Sequence, residues 1–282
     1  MEVSFSHQMA TDDRGDTLTD LAEDVQEELP PISGYEDMPL VTLEVAVEPL
    51  AGLIPDLQNK VKTAKRDSLK PADALTIDES ASIMLYSMSW TPATDSLYTQ
   101  LNATLRSKDR KSLEPWYSYL KLLFTALDKL PSIHWIVHRG IKADVYKDYV
   151  RGQSIVWWAF SSCTTKLSLL ESERYLGNTG IRSLFTIECK NGKDVRKHSY
   201  FPREDEILIP AATQFRVISV LDQKNGLHII QLEEITPTVP LRKPAFIPLS
   251  NNPSSGRISC KFSRKFLRHF SFRNKINIII RR

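Results

Sequence analysis

The chain changes its hydrophobic pattern at Pro131, and this change limits the folds that it can adopt. Before Pro131, apolar residues recur at helical spacing, as in the segment LEPWYSYLKLLFTALDKLP that ends there. After Pro131, the apolar segments are short and rich in β-branched and aromatic residues, which is typical of strands. The sequence therefore predicts an α+β fold, in which a helical N-terminal segment packs on a mostly antiparallel β-sandwich.

The helical half has recognisable start and stop signals. Helical patterns begin near Leu40 and are interrupted at Pro55. Thr76 and Glu79 have the spacing of a capping box, which predicts a helix that starts between them. Pro115 suits the first turn of the last helix, and Pro131 ends it.

The second half contains six predicted strands separated by loops. They cover residues 134–141, 154–162, 182–189, 205–210, 215–222 and 227–235. The segment QKNG lies between the last two strands and predicts a hairpin turn. This order of elements favours neighbouring antiparallel strands.

The charge is distributed unevenly and predicts three regions. Residues 1–40 contain eleven acidic residues and one arginine, whereas residues 249–282 contain nine basic residues and no acid. We expect an acidic disordered leader over residues 1–38, a folded domain over residues 39–248 and a disordered basic tail over residues 249–282. The apolar residues of the tail have helical spacing, which leaves open binding to an anionic membrane, to nucleic acid or to the acidic leader.

Several functional classes find no support in the sequence. No segment approaches the roughly 18 apolar residues of a membrane span, and the first residues lack the pattern of a signal peptide. The three cysteines are scattered, which argues against a disulfide framework and against a zinc site. We therefore expect an intracellular, cytoplasmic protein without a transmembrane span and without a bound metal.

Polar residues stand at the ends of three predicted strands. Arg139 and Gly140 lie at the end of the first, Ser162-Cys163-Thr164 lies at the end of the second, and Glu204 and Glu206 lie at the start of the fourth. Alone, each has an ordinary explanation: a surface turn, a backbone cap or a solvated run of charge. Because side chains two residues apart in a strand point to the same side, Glu204 and Glu206 are expected to share one face.

In this order, the three motifs resemble those of the arginine-type mono-ADP-ribosyltransferases. That family carries an Arg, a Ser-x-Ser and a Glu-x-Glu motif on successive strands, which correspond here to VHRGI, WWAFSSCTTK and YFPREDEILIP. Cys163 and Thr164 replace the usual Thr and Ser of the second motif. The resemblance covers roughly residues 39–237, and it implies that residues 39–248 form a catalytic domain with an ADP-ribosyltransferase-like fold.

The resemblance implies that the chain transfers ADP-ribose from NAD to arginine side chains of acceptor proteins and releases nicotinamide. NAD would be a co-substrate, with NADP left open, and no prosthetic group is implied. Glu206 would bind the ribose hydroxyl, and Glu204 would orient the acceptor guanidinium and help to deprotonate it. Ser162 would hydrogen-bond Glu206 and fix its direction.

The nucleotide would be bound by the other motif residues. Arg139 offers a planar guanidinium for a phosphate or a ribose. Gly140 would let the backbone approach the nicotinamide amide, and Thr164 would face the nucleotide together with Ser162. The loop over residues 191–205 is expected to be the acceptor-recognition surface, although its basic residues are equally consistent with solubility. His198 in this loop could be a base, but a histidine in a surface loop is more often a bystander, and we expect it to be one.

Two other functions remain open at this stage. An NAD glycohydrolase would use water in place of the acceptor, and a binding module would keep the fold without turnover. Glu204 favours transfer over hydrolysis, because hydrolysis needs only the second acid.

Overall fold

The computed structural model describes residues 28–172 and 175–245. The basic tail and the first 27 residues of the predicted leader lie outside these residues. Six α-helices are described: α1 (Leu43–Ala46), α2 (Leu57–Asp67), α3 (Ile77–Ser87), α4 (Leu97–Arg106), α5 (Tyr117–Lys129) and α6 (Leu167–Leu170). Within the described residues, none of the helices has the length and apolar character needed to cross a membrane.

The start and stop signals of the helical half lie where the sequence predicts them. Thr76 Oγ1 accepts the backbone N–H of Glu79 at 3.2 Å, and the Glu79 carboxylate accepts the backbone N–H of Thr76 at 2.9 Å. Pro115 lies in a 3₁₀ turn (Arg110–Trp116) that leads into α5, which ends just before Pro131. The predicted capping box is therefore confirmed.

Seven strands form the second half of the domain. They are β1 (Ser132–Ile141), β2 (Ser154–Trp157), β3 (Ser161–Thr164), β4 (Arg182–Asp194), β5 (Glu206–Ile209), β6 (Thr213–Asp222) and β7 (Leu227–Glu234). The hairpin predicted around QKNG joins β6 to β7, with Lys224 and Gly226 at positive φ. A turn of this kind requires positive φ, which explains the glycine at its end.

The strands pair in the order β1-β3-β5-β4-β7-β6-β2. All pairs are antiparallel except β4 with β7. The predicted α+β class with a mostly antiparallel sheet is confirmed, but the predicted sandwich is not. Because β1 also pairs with β4, from Ser132 opposite Lys193 to Ile141 opposite Ser183, four strands of a single sheet close into a ring.

The predicted strand over residues 154–162 is two strands. Trp157 ends β2 and packs against Phe185 and Phe215 in the core of the sheet. Trp158 and Phe160 follow at once and pack in the core beneath the helices. The unbroken apolar run IVWWAF thus serves two hydrophobic cores, and the chain passes from the outer edge of the sheet into the closed ring between them.

The predicted boundary at residue 38 is too late in the chain. Ile32 and Tyr35 have no exposed surface, and both belong to the core of the helical half. The backbone N–H of Ile32 donates to the Leu241 carbonyl at 2.8 Å, and the Tyr35 ring lies 5.0 Å from that of Phe124. Ile32 and Tyr35 are two core residues within an acidic stretch. A boundary drawn from composition alone therefore falls too late in the chain.

Candidate active site

The three motifs line one cleft between the helical half and the closed part of the sheet. The cleft has a volume of about 880 Å³, including the part that is open to solvent. Every site residue predicted from the sequence lines it: Arg139, Gly140, Ser162, Thr164, Glu204 and Glu206. The helical half contributes an aromatic wall to the same cleft: Tyr86, Trp90 and Tyr98. The structure therefore brings together motif residues that are up to 67 positions apart (139 to 206).

Glu206 is a buried carboxylate at the start of β5. The residue is only 3% exposed, and Ser162 Oγ donates to its Oε1 at 2.6 Å. Ser199 Oγ donates to its Oε2 at 2.9 Å. Among the described residues, Glu206 forms no ion pair with a basic side chain. A buried carboxylate without a counter-charge is costly unless it is well hydrogen-bonded, and such a group is suited to a cationic ligand.

Glu204 does not lie in a strand. The expectation that Glu204 and Glu206 share one face of a single strand is therefore wrong. It ends a 3₁₀ turn (Pro202–Glu204), in which Pro202 takes one of the first positions. Asp205 then adopts a left-handed backbone, with φ of 47°, before β5 begins at Glu206. Glu204 and Glu206 still line the same cleft, but the turn brings them there, not the alternation of a strand.

Two basic side chains hold the turn between the two acids. Lys166 and Arg196 both form ion pairs with Asp205. The hydrogen bond from Lys166 holds the pKa of the Asp205 carboxyl below its usual range. Aspartate is among the few residues that adopt a left-handed backbone readily, so both its conformation and its charge fit this position.

Arg139 lies in β1 and is buried at the base of the cleft. It is 6% exposed, and its Nη1 donates to the Ser162 carbonyl at 2.9 Å. It also forms a hydrogen bond with the Tyr98 side chain. Its Nε has no hydrogen-bond partner within the described part of the chain. A buried guanidinium with an unused donor is suited to an anionic oxygen of a ligand.

The second motif places its three side chains in different surroundings. Ser162 contacts Glu206, whereas the Cys163 thiol points into the core of the sheet. Burial raises the pKa of Cys163 to about 12, so the thiol is uncharged at neutral pH and is a poor nucleophile. Thr164 Oγ1 donates to the Glu204 carbonyl at 3.3 Å, which links the second motif to the third.

Gly140 is surrounded more closely than the sequence indicates. A Cβ atom at this position would lie 2.8 Å from the Cβ of Leu176, closer than side chains tolerate. The absence of a side chain at Gly140 therefore allows the segment after α6 to pack onto β1 beside the cleft. Its predicted contact with nicotinamide stays a prediction.

The loop before the acids differs from the expected basic surface. Residues 191–194 belong to β4, and Lys193 is buried with its Nζ donating to the Leu130 carbonyl at 2.8 Å. Arg196 pairs with Asp194, and Lys197 pairs with Asp73 at 3.0 Å. Three of the four basic residues of this loop therefore have partners within the chain, which weakens the argument for acceptor recognition by its charge.

His198 is buried, so its expected place at the surface is wrong. It has no exposed surface, and its Nδ1 lies 2.9 Å from Ser80 Oγ on α3. Its Nε2 lies 3.2 Å from Asp73 Oδ2. Burial lowers the pKa of His198, and the contact with Asp73 raises it by less. Because a carboxylate only accepts, the neutral ring donates from Nε2 to Asp73 and accepts the Ser80 hydroxyl at Nδ1.

The sequence did not single out Ser199 or the aromatic wall. Ser199 lies three residues before the 3₁₀ turn, and no spacing rule connects it with Glu206. Tyr86 lies in α3 and Tyr98 in α4, and their edge-to-face contact, with ring centroids 5.4 Å apart, is ordinary core packing. Only the fold shows that one side of this pair faces the cleft.

Known proteins that are similar in sequence to this chain are named as ADP-ribosyltransferases. The family model described as NAD:arginine ADP-ribosyltransferase matches residues 45–239, which is more than half of the chain. Mav of Mycobacterium avium (strain 104), provisionally named an NAD(+)–arginine ADP-ribosyltransferase, is 38% identical over 112 residues, which are 39% of this chain and 13% of that protein. The T-cell ecto-ADP-ribosyltransferase 2 of Mus musculus is 29% identical over 128 residues, which are 45% of this chain and 41% of that protein. The chain thus spans less than half the length of these two relatives.

Solved structures share the fold. The eukaryotic mono-ADP-ribosyltransferase ART2.2 superposes with a TM-score of 0.55 at 15% identity, over 75% of this chain and 98% of that one. A variant of ART2.2 in complex with NAD superposes with a TM-score of 0.54 at 16% identity, over 70% of this chain and 86% of that one. At these identities the similarity concerns the architecture.

Proposed function

The chain belongs to the NAD:arginine ADP-ribosyltransferase family, and we propose that it transfers ADP-ribose from NAD to arginine side chains of acceptor proteins. In this reaction, a guanidinium nitrogen of the acceptor forms a bond to C1′ of the ribose. The bond between C1′ and nicotinamide breaks, and its electron pair leaves with nicotinamide. One proton is lost from the acceptor guanidinium.

The proposal rests on one observation: the Glu206 carboxylate is buried and has no ion-pair partner among the described residues. As nicotinamide leaves, positive charge develops on the ribose, and a fixed negative charge beside it lowers the energy of the transition state. Both oxygens of Glu206 are already held by serine hydroxyls, so the group needs little reorganisation during the reaction. Among the described residues, no basic side chain neutralises the Glu206 carboxylate. This supports a role in which its negative charge stabilises the positive charge that develops on the ribose.

The nucleotide would lie along the same cleft, with Arg139 at its base. The unused Nε of Arg139 supports a hydrogen bond to a phosphate or ribose oxygen. The NAD complex of an ART2.2 variant supports NAD as the co-substrate. NADP as an alternative co-substrate stays part of the proposal, and it is tested by supplying each dinucleotide separately.

Glu204 would serve the acceptor. A guanidinium is essentially always protonated in water, so it attacks only if a nearby base orients it and takes its proton. Glu204 lies at the end of the 3₁₀ turn and lines the same cleft as Glu206, which supports transfer over simple hydrolysis of NAD. A binding module without turnover would not need this pair of acids.

Two further expectations concern the rest of the protein. Binding of the basic tail to an anionic membrane or to nucleic acid is a separate proposal, because the tail lies outside the described residues. An intracellular, cytoplasmic location is likewise a proposal from the sequence.

The proposed function is tested with labelled NAD and two peptide acceptors of equal length, one rich in arginine and one rich in lysine. We expect the full chain to label the arginine peptide alone, with mass spectrometry locating ADP-ribose on a guanidinium. Glu206→Gln, in which the rate should fall by about 10²–10³, provides the control. Equal labelling of both peptides, or none of either, would contradict the proposal.

A further inference from the structure

Glu206 has a second hydroxyl partner outside the three motifs. Ser199 Oγ lies 2.9 Å from Glu206 Oε2, and Ser199 is only 4% exposed. We propose that Ser199 is a positioning residue for Glu206, which couples the orientation of this carboxylate to the loop over residues 195–205. The inference rests on the proposed function, because it assigns a kinetic effect to the orientation of Glu206.

The direction of the Ser199 hydroxyl is fixed by a second contact. The backbone N–H of Phe201 donates to Ser199 Oγ at 3.1 Å. This hydrogen bond occupies a lone pair of the hydroxyl oxygen, while an ionised Glu206 can only accept. The hydroxyl proton of Ser199 is therefore directed at Glu206 Oε2.

The residues on both sides of Ser199 are held by the helical half. His198 is fixed between Ser80 and Asp73, as described above. The backbone N–H of Tyr200 donates to Ser87 Oγ at 2.7 Å, and Ser87 Oγ in turn donates to the Met84 carbonyl on α3. Both neighbours of Ser199 are thus held in place by hydrogen bonds to the helical half. Because Ser199 is fixed between them, its hydrogen bond helps to fix the position of the Glu206 carboxylate.

The two serines restrain the carboxylate from different parts of the fold. Ser162 lies on β3 and holds Oε1, whereas Ser199 lies in the loop anchored to α3 and holds Oε2. One hydroxyl alone leaves the carboxylate plane free to turn about the bond that carries it. Two hydroxyls fix this plane before NAD binds, and such preorganisation lowers the barrier of the reaction more than it strengthens substrate binding.

The test compares Ser199→Ala and Ser199→Thr in the full chain. Loss of a hydrogen bond to a charged group should lower kcat for nicotinamide release by about tenfold or more. KM for NAD should change by less than about twofold, because a hydrogen bond to the ribose hydroxyl contributes less to NAD binding than the oriented charge contributes to the transition state. Ser199→Thr keeps the hydroxyl and should recover most of kcat. Ser82→Ala, which also removes a buried serine hydroxyl of the helical half, is the matched control and should keep wild-type kcat.

A second pair of variants separates positioning from a general loss of structure. If Ser199 acts through Glu206, Ser199→Ala should cause no further loss of kcat in a Glu206→Gln background. An equal loss in both backgrounds, or wild-type kcat in Ser199→Ala, would overturn the inference while the proposed function stands. Absence of turnover in the wild-type chain would overturn both.

Discussion

Ser162 Oγ donates to Glu206 Oε1 at 2.6 Å, and this contact joins the serine motif to the acid motif at the centre of the cleft. The two strands that carry these residues are neighbours, with Thr164 opposite Glu206 in the pairing of β3 and β5. The strand register therefore brings the second and third motifs together. Arg139 completes the arrangement, because its Nη1 donates to the carbonyl of Ser162.

Glu206→Gln should abolish most of the activity without unfolding the protein. Glutamine keeps the size of the side chain and can still hydrogen-bond Ser162 and Ser199, but it carries no charge for the ribosyl cation. Loss of such a preorganised group lowers the rate by about 10²–10³. Both nicotinamide release and arginine modification should fall together, with an unchanged circular dichroism spectrum. A folded variant with wild-type rates would remove Glu206 from the mechanism.

Glu204→Gln should separate transfer from hydrolysis. Its carboxylate is assigned to the acceptor, so arginine modification should be lost while nicotinamide release continues with water as the acceptor. The contact from Thr164 goes to the backbone carbonyl of Glu204 and is unaffected by the change. Both products are measured in the same reaction. Equal loss of the two activities would instead assign Glu204 to the NAD site.

Arg139→Lys should weaken NAD binding although the positive charge is retained. Lysine cannot keep the contacts to Ser162 and Tyr98 while presenting a donor to the ligand, because it lacks the planar guanidinium. We expect the dissociation constant measured by calorimetry to rise on the order of tenfold or more. Arg216→Lys, an exposed substitution on β6, is the matched control and should bind NAD as the wild type does.

The stability of the protein should fall in mildly acidic solution. Burial lowers the pKa of His198 in the folded state, so the unfolded chain binds more protons at its ordinary pKa of about 6.5. The stability that neutral His198 contributes is present above this pH and is lost as pH falls through the folded pKa. His138, whose pKa burial also lowers, acts in the same direction. The contribution of Asp73 is lost only at lower pH, because its pKa is held below its usual range by Lys197.

Urea denaturation at a series of pH values between 5 and 8 measures this effect. One titrating histidine changes the free energy of unfolding by at most about 1.4 kcal/mol per pH unit. His198→Gln should flatten the slope below pH 6.5 and leave the part due to His138. A slope that is the same in both proteins would show that His198 does not titrate on unfolding.

The sequence predicts the parts of this structure that depend on local rules. The capping box at Thr76 and the hairpin before Leu227 follow from a few neighbouring residues, and both are present. The resemblance to a known family points to one site for motifs that are far apart in the chain, and they share one cleft. Local patterns alone would have explained the three motifs as a surface turn, a backbone cap and a solvated run of charge.

The remaining features depend on contacts that no local pattern encodes. The run IVWWAF is continuous in sequence, yet Trp157 and Trp158 pack in different cores, so it predicts one strand where there are two. The alternation argument for Glu204 fails because Asp205 adopts a left-handed backbone held by distant basic residues. Ser199 reaches Glu206 only because the loop is anchored to a helix more than 100 residues earlier in the chain, with Tyr200 bonded to Ser87.

The most direct test of the account is the ratio of two products in one reaction. The purified chain of 282 residues is incubated with NAD and an arginine-rich peptide, and the nicotinamide released is compared with the ADP-ribosylarginine formed. Arginine-directed transfer predicts that the two amounts are nearly equal and that both fall by about 10²–10³ in Glu206→Gln. Nicotinamide released without ADP-ribosylarginine would contradict it and would identify the protein as an NAD glycohydrolase.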